Sequence, residues 1–115
     1  MHLDLTELKN NLPADTLNTI LQRALKQVKD DAEQYQQAIH AADFRLGAQL
    51  IHRMRGLALF LGVSEADLAQ IQVLEHELAA TVPDGTETPL GIAVFSARFD
   101  VFLESFETAL LNVAG

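Results

Sequence analysis

The sequence predicts an all-α domain, and three observations carry that expectation. Apolar residues recur at spacings of three, four and seven along nearly the whole chain, the period of a helix with one buried face. Runs of alternating β-branched residues bounded by turns are missing. Helix caps and stops fall between the periodic segments. With 115 residues, 49% of them apolar and 21% charged, the chain has the balance of a globular domain and a common single-domain length. One domain spanning 1–115 with one core is expected.

A short first helix is predicted from Leu5 to Asn10. Pro13 and Asp15 open a much longer second helix, with proline in the first turn, where its missing N–H leaves no bond unmade. Leu17, Leu21, Leu25, Val28, Ala32, Tyr35 and Ile39 form one stripe, which implies about 28 residues and roughly 42 Å of helix. It should end near Ala42. Asp43 is the expected N-cap of a third helix, and Gly62 its stop.

Ser64 with Asp67 three residues on reads as a capping box for a fourth helix, with Leu68, Ile71, Leu74 and Leu78 facing inward. That helix should end before Pro83. From Val82 to Pro89 the chain is rich in turn formers and is expected to be a loop. A last helix follows, with Phe95, Phe99, Phe102, Phe106, Ala109 and Val113 stepping by threes and fours along its buried side.

Composition removes several classes of function. The chain has no cysteine, so disulfides, thiolate ligands and thiol nucleophiles are out, and a reducing compartment fits. The apolar run Leu57 to Leu61 is far short of the roughly 20 residues that cross a bilayer, and no basic-then-apolar signal opens the chain. A cytoplasmic location is therefore expected. Met1 ahead of a plausible first helix leans toward a free-standing domain. A formal net charge of -8 repels phosphate backbones and anionic lipid heads, so neither nucleic acid nor membrane is an expected partner.

The chemistry is expected in the third helix. Placed at 100° intervals, Phe44, Gly47, Ile51, Met54, Ala58 and Leu61 fill one sector of about 100°, the buried seam. His52 points about 130° from the centre of that sector, so its imidazole should stand in solvent midway along a rigid helix. Arg45, Ala48, Gln49, Arg55, Gly56 and Leu59 share its outer face. Gly56 costs up to about 1 kcal/mol of helix propensity, which implies that something approaches closely there. Arg45, Arg53 and Arg55 make a local positive island that suits an anion, and a guanidinium beside the imidazole suits a phosphoryl group.

The remaining histidines carry less. His2 lies near the terminus, His40 near a helix end, and His76 follows Glu75 on a polar face. His76 and Glu77 do not extend to a metalloprotease pattern, because Ala80 stands where the second histidine is required. No metal site is expected. The acidic residues are expected on solvated helix faces, with no carboxylate pair placed for acid–base work.

The segment His52-Arg53-Met54-Arg55-Gly56-Leu57-Ala58-Leu59-Phe60-Leu61-Gly62 resembles the signature of histidine-containing phosphotransfer domains. That signature has a histidine, a lysine three on, a glycine four on and a second glycine ten on. The likeness extends to Asp43 before the helix and to Leu74-Glu75 in the next one, and the helix order fits nearly the whole chain.

The resemblance implies an antiparallel up-down-up-down four-helix bundle with a short extra N-terminal helix. By it, His52 is the phosphorylated nucleophile, and Arg55 stands in for the usual lysine and stabilises the phosphoryl group. Exposed Leu59 and Phe60 flanking Gly56 suit a small transient interface, so these residues with Gln49 and Arg53 are expected to form the docking patch for a partner. The partners implied are receiver domains of response regulators or hybrid sensor kinases, which supply the catalytic aspartate and Mg²⁺. This chain then needs no cofactor and is expected to be a monomer. Two further readings stand beside the phosphorelay intermediate: the phosphoacceptor module of a chemotaxis-type kinase, and a receiver-binding bundle that is not itself phosphorylated. No nucleotide-binding glycine box is present, so kinase activity of its own is not expected.

Overall fold

The structure, a computed structural model, describes residues 1–81 and 89–114. They form five helices: α1 (Thr6–Asn11), α2 (Ala14–His40), α3 (Phe44–Phe60), α4 (Glu65–Thr81) and α5 (Pro89–Ala114). The all-α expectation holds, and no strand occurs among the described residues. α3 packs between α2 and α4, α2 also packs along α5, and α4 meets α5 less extensively. The expected loop lies outside the described residues except for Pro89, which begins α5.

Each helix end has a local cause. At α1 the Thr6 N–H donates to Asp4 Oδ1 at 3.1 Å, and hydrogen bonds from Thr6 hold the Asp4 carboxyl below its ordinary range. Asp43 caps α3 as expected, its Oδ1 accepting the Leu46 N–H at 3.2 Å. At α4 the Ser64 Oγ accepts the Asp67 N–H at 3.3 Å while the Ser64 hydroxyl donates to Asp67 Oδ2 at 3.0 Å. These bonds satisfy N–H groups that a first turn leaves without helical partners.

The C-termini of α2 and α3 close in the same way. The Asp43 N–H reaches Ala38 O at 2.8 Å, and the Val63 N–H reaches Ala58 O at 3.0 Å, each wrapping back over a residue in the left-handed region. At α3 that residue is Gly62, with φ 78°; at α2 it is Ala42, with φ 57°. Gly62 has a second reason to lack a side chain. A Cβ there would sit 2.1 Å from the Asp4 carbonyl oxygen, because the N-terminal segment crosses the end of α3, with Leu3 bridging to Val63 and the Asp4 N–H donating to Gly62 O at 3.1 Å.

The core follows from the helical stripes, with one rotation. In α2, Leu17, Leu21, Val28 and Tyr35 are buried as expected, but Leu25, Ala32 and Ile39 are only partly buried. Their places at the centre go to Ala24, Asp31 and Ala38, and Asp31 meets Arg53 of α3 there. In α4, Ile71, Leu74 and Leu78 are buried while Leu68 is half-buried. In α5, Phe99, Phe106 and Ala109 are buried and Phe102 is half-buried; Val113, expected inward, is exposed near the helix end. The side chain of Phe95 lies outside those described. Tyr35 packs on Phe99 with ring centroids 4.7 Å apart, and burial pushes its hydroxyl up to about 12.

The left-handed residues predict opposite responses to exchange. Ala42→Gly relieves the cost of a Cβ at positive φ and is expected to raise stability by about 0.5–1 kcal/mol. Gly62→Ala adds both backbone strain and the clash with Asp4 and should lower it by about 2 kcal/mol or more. Urea unfolding followed by helical circular dichroism measures both.

Candidate functional site

Burial of one side of α3 decides where the other side points. Ile51, Met54 and Ala58 are fully buried, and the helical period then turns His52 outward, where its side chain is 66% exposed. Gly47 lets the neighbours come close enough to hold this rotation, since a Cβ there would meet Leu78 of α4 at 3.0 Å and Ile39 of α2 at 3.5 Å. Phe44, expected in the seam, is only half-buried at the first turn. Ala48, expected on the outer face, is buried.

Two ion pairs flank the histidine. On the α4 side, Glu75 bridges two residues of α3: its Oε1 lies 2.8 Å from His52 Nδ1, and its Oε2 accepts from Arg55 Nε at 3.0 Å. Arg55 Nη2 stands 3.1 Å from the same Nδ1. On the α2 side, Arg53 forks onto Asp31, with Nε donating to Oδ2 at 3.1 Å and Nη2 to Oδ1. Gln27 Nε2 donates to Asp31 Oδ1 at 2.8 Å. The Asp31 bond raises the Arg53 guanidinium above its already high ordinary value.

The bridge by Glu75 sets the chemistry of the ring. A carboxylate only accepts and a guanidinium only donates, so both cannot bond one nitrogen of a neutral imidazole. The carboxylate contact is the shorter, and in a neutral ring it favours the tautomer with the proton on Nδ1, donating to Glu75 Oε1. Nε2, which has no partner among the described residues, then carries the lone pair. Glu75 thus holds the ring and Arg55 side by side.

Beyond the ring the surface turns apolar. His52, Arg55, Gly56, Leu59 and Leu68 line a shallow depression of about 210 Å³. A Cβ on Gly56 would meet nothing within 4 Å, so no contact inside the molecule requires glycine there. Leu59 is 65% exposed and Phe60 52%. Gln49 is exposed on the same strip. Of the residues singled out from the sequence, His52, Arg55, Gly56 and Leu59 come together here, with Gln49 and Phe60 along the strip, while Arg53 is committed to Asp31 at its α2 edge.

Asp31 departs from the expectation that acidic residues lie on solvated faces: it is 1% exposed. Its signal was present, since it falls three residues after Val28 and four before Tyr35, inside the buried register of α2. Glu75, quoted as part of a resemblance, gave no sign in its own helix that it would reach a residue 23 positions earlier. Among the described residues no group of three or more His, Cys, Asp or Glu is placed to hold a metal ion, and no helix is long and apolar enough to cross a membrane. Set against protein-family models, curated proteins and solved structures, the chain matches none of them.

The two ends of the Asp31–Arg53 pair predict unequal losses. Arg53→Met strands a buried carboxylate on Gln27 alone and is expected to cost about 2 kcal/mol, below the value for a wholly buried pair because the arginine is half in water. Asp31→Asn leaves a solvated guanidinium and should cost less. Urea midpoints of the two variants give the comparison.

Proposed function

We propose that this chain is a phosphoryl carrier of the histidine-containing phosphotransfer type, exchanging a phosphoryl group between His52 and the aspartate of a receiver domain. In this reading α2 to α5 form an antiparallel up-down-up-down four-helix bundle with α1 as the extra N-terminal helix. The short turns from α2 to α3 and from α3 to α4 and the packing of α2 and α4 on both α3 and α5 support that arrangement.

The observation that carries the reading is the placement of the imidazole: exposed, its Nδ1 2.8 Å from a Glu75 carboxylate oxygen, and beside it a glycine for which the molecule has no internal use. The Nε2 lone pair attacks the phosphorus of the receiver's aspartyl phosphate. The bond from phosphorus to the aspartate oxygen breaks and the carboxylate leaves, as the bond from Nε2 to phosphorus forms. The ring becomes positively charged, and Glu75, already bonded to Nδ1–H, stabilises that charge. Arg55 Nη2 is close enough to swing from the ring to the arriving phosphoryl oxygens and meet their negative charge. The reverse step returns the group to a second receiver. Mg²⁺ belongs to the receiver in this scheme, and no step needs a metal or nucleotide on this chain.

Gly56 and the exposed Leu59 and Phe60 supply what the receiver meets. An apolar contact around a point of close backbone approach suits a small transient interface. A monomer presents this face without obstruction.

Mixing the protein with a phosphorylated receiver should move label onto it in a form stable in base and labile in acid. His52→Gln is expected to abolish that label while helicity and melting stay unchanged; label that persists in the variant refutes the site. Glu75→Ala should slow transfer by about tenfold, or about 1.4 kcal/mol of barrier, by releasing the tautomer. Gly56→Ala separates stability from function: the variant should be more stable by about 0.5–1 kcal/mol yet accept phosphate more slowly. Label arriving only from an ATP-dependent kinase, never from a receiver, would make the chain a kinase's phosphoacceptor module. Receiver binding without label would make it an interaction module.

A further inference from the structure

The exposed face of α3 is not uniform along its length. Its two edges are closed by ion pairs, Arg53 with Asp31 toward α2 and Arg55 with Glu75 toward α4. Between them lie Arg45 and Gln49 before His52, and Gly56, Leu59 and Phe60 after it, all exposed. The strip is therefore polar and cationic at its start and apolar at its end, with the imidazole in the middle.

Arg45 differs from the other arginines of α3. It forms no ion pair or hydrogen bond among the described residues, whereas Arg53 and Arg55 are each matched to a carboxylate. It stands two turns before His52 on the same side, about 10.5 Å along the axis, too far to serve as the Arg55 guanidinium does at Nδ1. In a chain of net charge -8, most of the surface repels an acidic partner, and an unmatched cation on the strip is where such a partner is drawn in.

We propose that Arg45 is the orienting contact for the partner of His52, meeting an acidic side chain on the rim of the receiver while Leu59 and Phe60 seat an apolar patch on its far side. This rests on the carrier reading above and extends it. Two unlike contacts on opposite sides of the nucleophile make the docking direction unique, since a receiver turned end for end would set its acidic group on Leu59 and its apolar patch on a bare guanidinium. The apolar end contributes burial, and the cation contributes approach rate and direction.

The test uses the full chain and a panel of purified receiver domains charged with acetyl phosphate and Mg²⁺, taking the receiver that transfers fastest to the unaltered protein. Phosphoramidate, a donor too small to touch Arg45 while reacting at His52, is the reference. Arg45→Glu should lower the rate of receiver transfer, relative to phosphoramidate labelling, by about fivefold at low salt and by less than about twofold near 0.5 M salt. Arg45→Lys should restore most of the loss, because charge and not the guanidinium fork is what matters. Leu59→Ser should also slow receiver transfer, but by a factor that salt does not remove. An Arg45→Glu rate equal to or above that of the unaltered protein overturns the proposal, as does an equal loss with both donors. If no receiver labels the unaltered chain, the carrier reading itself fails, and that outcome is distinct because it does not involve Arg45.

Discussion

The rotation of α3 about its own axis is the constraint on which the site depends. Ile51, Met54 and Ala58 are held inside, and a helix that buries these three has no choice but to expose His52. Two ion pairs brace that rotation from either flank, Arg53 reaching Asp31 on α2 and Arg55 reaching Glu75 on α4. One and three residues past the histidine, the arginines leave the helix on opposite sides, so each meets a different neighbour. A small turn of α3 would stretch one pair and crowd the other, and with it would move the imidazole off its carboxylate.

The ends of α3 are held as firmly as its middle. Asp43 caps the first turn, and the N-terminal segment straps the last by bonding across Gly62, where its carbonyl occupies the space of an absent side chain. Leu59 and Phe60 close the helix just before this strapped turn. Exposed apolar residues at a frayed helix end would fold back onto the core; here the backbone beneath them is fixed by the 3.0 Å bond from the Val63 N–H to Ala58 O. The three glycines of this region thus serve three needs: close helix packing at Gly47, a left-handed turn under a strap at Gly62, and open space at Gly56.

Much of this is legible in the sequence. Helix positions, the Asp43 and Ser64 caps, the stop at Gly62 and the outward angle of His52 all follow from residue type and a period of 3.6, because they concern interactions within a few residues of one another. The departures share a different origin. Ala48 was placed outside and is buried; Leu25, Ala32 and Ile39 gave up the centre of the α2 stripe to Ala24, Asp31 and Ala38. A helical wheel shows which residues share a face, but not how far a neighbouring helix wraps around it.

The site shows the same division. Residue order along α3 was enough to put a histidine, three arginines, a glycine and an apolar end in sequence on one helix, since spacing along a helix is local geometry. Which arginine serves the imidazole, which one braces a buried carboxylate and which one stays unmatched was settled by where Glu75 and Asp31 arrive. Those two carboxylates lie on other helices, twenty or more residues away in the chain from the groups they meet. Their meeting is a product of packing three helices against one another, and no periodicity within one helix contains it.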